Sequence, residues 1–172
     1  MNIRDEILKE HSKKQSKKIA DFIGNDKKKF AELMKLFLGN TYRITQRAAW
    51  VVVSCAHKHP SLVFPWLNKM ISLLEKDVHQ AVKRNTLRLF EVIEVPKSQQ
   101  GRVADICFRF LLSSNESIAV KVYAMTTLQK ICTHEPELKN ELRIVLLDQM
   151  ENAGPAFRSR ANRVLSMLNE ND

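Results

Sequence analysis

A segment that recurs four times at nearly constant spacing restricts the possible folds of this chain more than any other feature. Its copies begin at Ile44, Val82, Val120 and Phe157, at intervals of 38, 38 and 37 residues. The fifth position of each copy is small: Ala48, Thr86, Ala124 and Ala161. The ninth is apolar, as Val52, Phe90, Leu128 and Leu165, and three residues further stand Cys55, Ile93, Ile131 and Leu168. Steps of four, four and three residues trace one face of an α-helix. A small side chain in the middle of an apolar face lets a neighbouring helix approach closely, so these helices are expected to pack in series.

A second amphipathic segment precedes each copy: Phe30 to Leu38, Phe64 to Leu74, Val103 to Leu112, and Leu138 to Met150. The residues between segments punctuate them as helices. Gly24, Asn25 and Asp26 suit the end of one helix and the start of the next, and Gly39-Asn40-Thr41 repeats that arrangement. Pro60, Pro96 and Pro136 follow repeat helices, and Pro155 reads as a first helical residue. Ser12 with Gln15 and Ser113 with Glu116 have the spacing of a capping box. Only four glycines and five prolines occur, too few for an all-β chain with many tight turns.

Two antiparallel helices in about 38 residues fall in the size range of HEAT and armadillo repeats. The run Val120-Lys121-x-x-Ala124 resembles the HEAT pattern, and the resemblance extends over roughly residues 26 to 172. The chain departs from that pattern in lacking a regular Asp before each second helix, where only Asp77, Asn40 or Asn115 come near. The resemblance implies an all-α fold: a right-handed α-α superhelix, or HEAT-like solenoid, of about four helix pairs behind N-terminal capping helices. Residues 1–172 are expected to form a single domain, with a cap at 1–24 and repeats at 26–59, 61–96, 98–134 and 136–170. Ile3, Ile7, Leu8, Ile19, Phe22 and Ile23 are expected to face inward from the cap.

Hydrophobic residues make up 44% of the chain and charged residues 27%, which supports a packed core and argues against disorder. The longest apolar run, Ala48 to Ala56, is broken by Ser54 and is far too short to span a bilayer. The Lys-rich first thirty residues lack the continuous apolar stretch of a signal peptide. The expectation is a cytoplasmic protein without a membrane partner. Cys55, Cys107 and Cys132 are widely spaced among apolar neighbours and read as buried, reduced thiols.

Searching for chemistry yields little. His57 and His59 are two residues apart, which puts them on different sides of a helix and prevents chelation of one ion. His134-Glu135-Pro136-Glu137 lacks the second histidine of a zinc-protease helix. No phosphate-binding glycine loop and no hydrolase elbow occurs. Neither a metal nor a cofactor is expected, and the chain reads as a non-enzyme.

In HEAT-like proteins the second helices line the concave surface, where partners bind. Three residues after each repeat start stand Arg47, Asn85, Tyr123 and Arg160, and six after it stand Trp50, Arg88, Thr126 and Arg163. All eight are expected to point outward. With Arg84, the residues Arg47, Trp50, Arg88, Tyr123, Arg160 and Arg163 form the candidate partner-binding set. The first reading is a scaffold that binds a protein. The alternative is nucleic acid, because arginines hold phosphates, Trp and Tyr stack on bases, and the net charge is +9. A third reading follows from similarity to the fold of DNA alkylation-repair glycosylases, which also use HEAT-like repeats. Trp50, Arg47 and Arg88 imitate part of their site, but Glu91 and Glu94 are poorly placed for its acidic member. A solvated basic face accounts for Lys13, Lys14, Lys17, Lys18 and Lys27 to Lys29.

Overall fold

In the computed structural model, which describes residues 1–39 and 41–169, the chain forms ten α-helices, with no strand among the described residues. It divides into two compact units, Met1–Ile93 and Glu94–Asp172. Asn40 of the expected Gly39-Asn40-Thr41 boundary and residue 170 of the last repeat lie outside the described residues.

The first unit contains α1 (Ile3–Lys9), α2 (Lys13–Ile23), α3 (Lys27–Phe37), α4 (Tyr42–Lys58), α5 (Leu67–Leu74) and α6 (Gln80–Leu89). Its centre is α4, which packs on α1, α2, α3 and α6. One helix can serve so many neighbours because Ala48, Ala49, Cys55 and Ala56 are buried and small, between the larger Ile44, Val51 and Val52. Short polar side chains start the preceding helices. Asn2 accepts from the Asp5 amide, Ser12 from that of Gln15, and Asp26 from those of Lys28 and Lys29. The amides of Lys29 and Lys28 favour the ionised form of Asp26 and hold its carboxyl below the usual range. Gly24 ends α2 at φ 51°, a left-handed conformation in which a Cβ is strained.

The expected Ser12 and Gln15 box forms only in one direction. Gln15 turns its amide onto α1, where Nε2 donates to the Glu6 carbonyl (2.8 Å) and to Glu6 Oε2 (3.0 Å). Lys9 and Lys18 also bond the Glu6 carboxylate, itself nearly buried. Together, Lys9 first, then Gln15 and Lys18, they hold its pKa down at about 2. Of the expected inward cap residues, Ile3, Ile7, Ile19 and Ile23 are buried, while Leu8 and Phe22 are only half-buried.

Phe64 to Leu74 does not form one helix. Pro60–Leu62 and Phe64–Trp66 are short 3-10 turns, and α5 begins only at Leu67. Pro65 explains the delay, since proline disfavours α geometry in the residue before it and has no N–H to donate.

The second unit contains α7 (Lys97–Leu112), α8 (Ile118–Ile131), α9 (Leu138–Met150) and α10 (Pro155–Asn169), with α8 against α7, α9 and α10. Pro155 opens α10 as expected. The cap of α8 differs from expectation: Ser117, not Ser113, accepts from the Val120 amide, and Ser113 ends α7. Long polar side chains tie the loops down, with Gln149 Nε2 donating to the Leu111 carbonyl and Gln100 Nε2 to that of Val95.

The repeat register holds in the fold. Ile44, Val82, Val120 and Phe157 are each the third residue of their helix, and each is buried. Every second helix packs on the helix before it: α4 on α3, α6 on α5, α8 on α7 and α10 on α9. Within the units, α4 also packs on α6 and α8 on α10. Fifteen of the sixteen repeat positions are buried; Leu165 is half-buried. Phe90 and Ile93 stay buried although α6 ends at Leu89, so the turn after the helix carries them inward.

All three cysteines are free and buried. Burial disfavours the thiolate, pushing Cys55 up to about 12 and Cys132 to about 11, and raising Cys107 as well.

Candidate binding surface

Within the first unit the structure brings Trp50 of α4 into contact with Arg88 of α6, with Arg47 about one turn before Trp50 and Arg84 about one turn before Arg88 on their helices. Trp50 is half-buried and already has neighbours. The guanidinium carbon of Arg88 lies 5.3 Å from its ring centroid, and the His11 ring meets it edge-on at 5.0 Å. A cation over an indole face is attracted by the ring quadrupole, and the two contacts together restrain the orientation of the tryptophan. His11 comes from the loop between α1 and α2, so no periodicity within the second helices could reveal it.

Arg47 reaches across to the end of α1, where Nη1 donates to the carbonyls of Leu8 (2.8 Å) and Ile7 (3.2 Å). The last carbonyls of a helix lack intrahelical partners and carry the negative end of its dipole, which explains the attraction. Arg47 therefore secures the N-terminal helix as well as presenting charge. Arg84 donates from Nε to Asn85 Oδ1 over 3.4 Å, a long bond at the edge of the useful range. Among the described residues, no carboxylate pairs with Arg47, Arg84 or Arg88.

Asn85 corrects the outward assignment of its position. It is 2% exposed, and its Nδ2 has no hydrogen-bond partner. The side chain is drawn in because α6 packs between α4 and α5, leaving little of its circumference to solvent. The orientation of the amide is chemically determined: turned over, it would set Nδ2 against the Arg84 guanidinium. Thr86, next in sequence, is fully buried and also has an unpartnered hydroxyl.

In the second unit Arg160 Nη1 donates to Thr126 Oγ1 at 2.7 Å, which links α10 to α8. Tyr123 is half-buried on α8, and Arg163 is exposed on α10. The pair Glu91 and Glu94, weighed as an acidic member of a glycosylase-like site, lies beyond the end of α6. Glu94 accepts from His134 Nε2 at 2.6 Å. His57 is exposed at the end of α4 and His59 is half-buried just past it.

No helix among the described residues is long and apolar enough to cross a membrane. Neither a curated protein nor a solved structure matches the chain. A family model described as the HEAT repeat domain matches residues 3–168, from the start of α1 into the last turn of α10. The chain belongs to the HEAT repeat domain family.

Proposed function

We propose that this chain is a non-catalytic binding module that takes a protein partner. Its second helices supply the contact residues: Arg47, Trp50, Arg84 and Arg88 in the first unit, and Tyr123, Arg160 and Arg163 in the second. The observation that carries the reading is the charge of Arg84 and Arg88, which no carboxylate among the described residues pairs with, beside a tryptophan that Arg88 and His11 both contact. Such a patch is donor-rich, preorganised and mounted on packed helices, which lowers the ordering cost of association. It offers guanidinium groups to bind anionic acceptors.

Arg88 covers the face of Trp50, so the indole is committed to a cation and presents little surface for stacking a base. That favours a protein partner over nucleic acid. The net charge of +9 favours the nucleic-acid reading, which therefore stays as the second one.

Affinity capture from native lysate treated with nuclease separates the two. Wild-type protein is expected to retain a protein partner that a variant carrying Arg88→Glu and Arg163→Glu loses. Equal capture by both proteins overturns the assignment of the surface. Binding abolished by nuclease, with oligonucleotide affinity falling at a log-log salt slope near −0.9 per phosphate, transfers the surface to nucleic acid.

A further inference from the structure

We infer that the outer face of α9 docks a basic amphipathic helix of a protein partner, at a surface separate from the arginines of the second helices.

The face follows from helical geometry. At about 100° per residue, Ile144 and Leu147 stand about 60° apart round α9, and both are exposed, by 59% and 55%. Leu142 and Leu146 hold the opposite side and are fully buried. A helix on the surface of a globular chain is ordinarily apolar on one side, whereas α9 is apolar on two and covered on one. Two exposed side chains make a small patch, and the charge beside them gives it direction.

Glu137, Glu141 and Asp148 lie within about 60° of Ile144 round the helix, all on the side away from Leu147 and all exposed. No cation among the described residues pairs with any of the three. Arg143 falls on the other flank, where its Nη2 donates to Asn169, and Arg158 donates to the carbonyls of Met150 and Glu151 at the helix end. Glu137 and Glu141 suit the start of α9, where the helix dipole favours an acid. Asp148 has no such reason: it stands in the last turn, where the dipole opposes a carboxylate and no ion pair within the fold offsets it.

This flank selects the charge of the occupant. An apolar partner over Ile144 and Leu147 would strip water from the neighbouring carboxylates and leave them unpaired, which is costly. Lysines or arginines along one edge of the partner pair them instead. Nucleic acid and anionic lipid carry the wrong sign and are repelled.

The backbone selects its conformation. The N–H and C=O groups of α9 are used within the helix, so its side presents side chains alone and no ladder for a strand to extend. A helix arrives with its own hydrogen bonds made. Lying nearly parallel to α9, it can also match the steps of four and seven residues from Glu137 to Glu141 to Asp148, a rise of about 16 Å.

Fluorescence anisotropy on the full chain tests the docking face. The probe is a labelled eighteen-residue helical peptide of Leu, Lys and Ala, with leucines along one side and lysines beside them. A second peptide has Gln in place of every Lys, and a third has the residues of the first in scrambled order. The first is expected to bind, and the other two about tenfold more weakly. Glu141→Lys with Asp148→Lys should weaken the first peptide about tenfold, and Ile144→Ser about fivefold. Melting temperatures should not change, since all three side chains are exposed. Glu32→Lys, at an exposed acid of α3, should leave binding as it is, and so should Arg88→Glu with Arg163→Glu. Equal binding of the scrambled peptide, or unchanged affinity after the substitutions on α9, overturns the proposal. So does self-association in sedimentation velocity that those substitutions abolish, because it assigns the face to a second copy of the chain.

Discussion

Thr86 occupies a position where the other three repeats place alanine: Ala48, Ala124 and Ala161. All four side chains are fully buried. The alanines bring no polar atom into the interface, whereas the Thr86 hydroxyl arrives without a partner. A buried, unsatisfied polar group costs about 1–3 kcal/mol, and valine has nearly the same shape without the hydroxyl. Thr86→Val is therefore expected to stabilise the fold by about 1 kcal/mol in urea-induced unfolding. A clear loss of stability would reveal an acceptor for that hydroxyl. The same logic separates what was legible in the sequence from what was not. Periodicity identifies which side of a helix is apolar, and it placed Ile44, Val82, Val120 and Phe157 correctly. It treats every polar residue off that face as outward, so it misplaced Asn85. It also cannot see His11, which reaches Trp50 from a loop 39 residues away in sequence.

At the scale of the helix, the repeats specify packing through size as much as through hydrophobicity. Ala124 and Leu128 lie on the same buried face of α8 and are both fully inaccessible. Ala124→Leu is expected to destabilise by about 1–3 kcal/mol through overpacking. Leu128→Ala should cost about 2–5 kcal/mol through the cavity left behind. Denaturant titration followed by circular dichroism measures both, and neutrality at the two sites would mean that the helix register is wrong. The junction of α1 with α2 depends instead on charge. Glu6 has a folded pKa of about 2, below its ordinary value of 4.5, so its ionised form is the one bound in the native state. Its contribution is fully present above about pH 4.5 and is lost as the pH falls through 2. Glu6→Gln should lower the melting temperature at pH 7 and approach wild type near pH 2. A constant offset across that range would show that the carboxylate charge is irrelevant. Helix ends were the least legible elements. Two prolines in Pro60-Ser61-Leu62-Val63-Phe64-Pro65 replaced most of an expected helical turn with 3-10 geometry, and Ser117 rather than Ser113 took the capping role.

For the molecule as a whole, family membership and the all-α class agree with what the fourfold repeat implied. The partner was not legible, because recognition depends on side chains that meet across elements. Composition supplied only the sign of the preferred ligand, through a charge of +9. The buried cysteines, by contrast, have a practical consequence. One of them, Cys55, belongs to the first unit, and Cys107 and Cys132 belong to the second. With their pKa values raised and their sulfurs enclosed, none should react with iodoacetamide at pH 8 unless its surroundings open. Modification followed site by site in a mass spectrometer then acts as three built-in stopwatches. Equal rates would report a single concerted opening, and a faster Cys55 or a faster Cys107 and Cys132 would report which half of the chain breathes first.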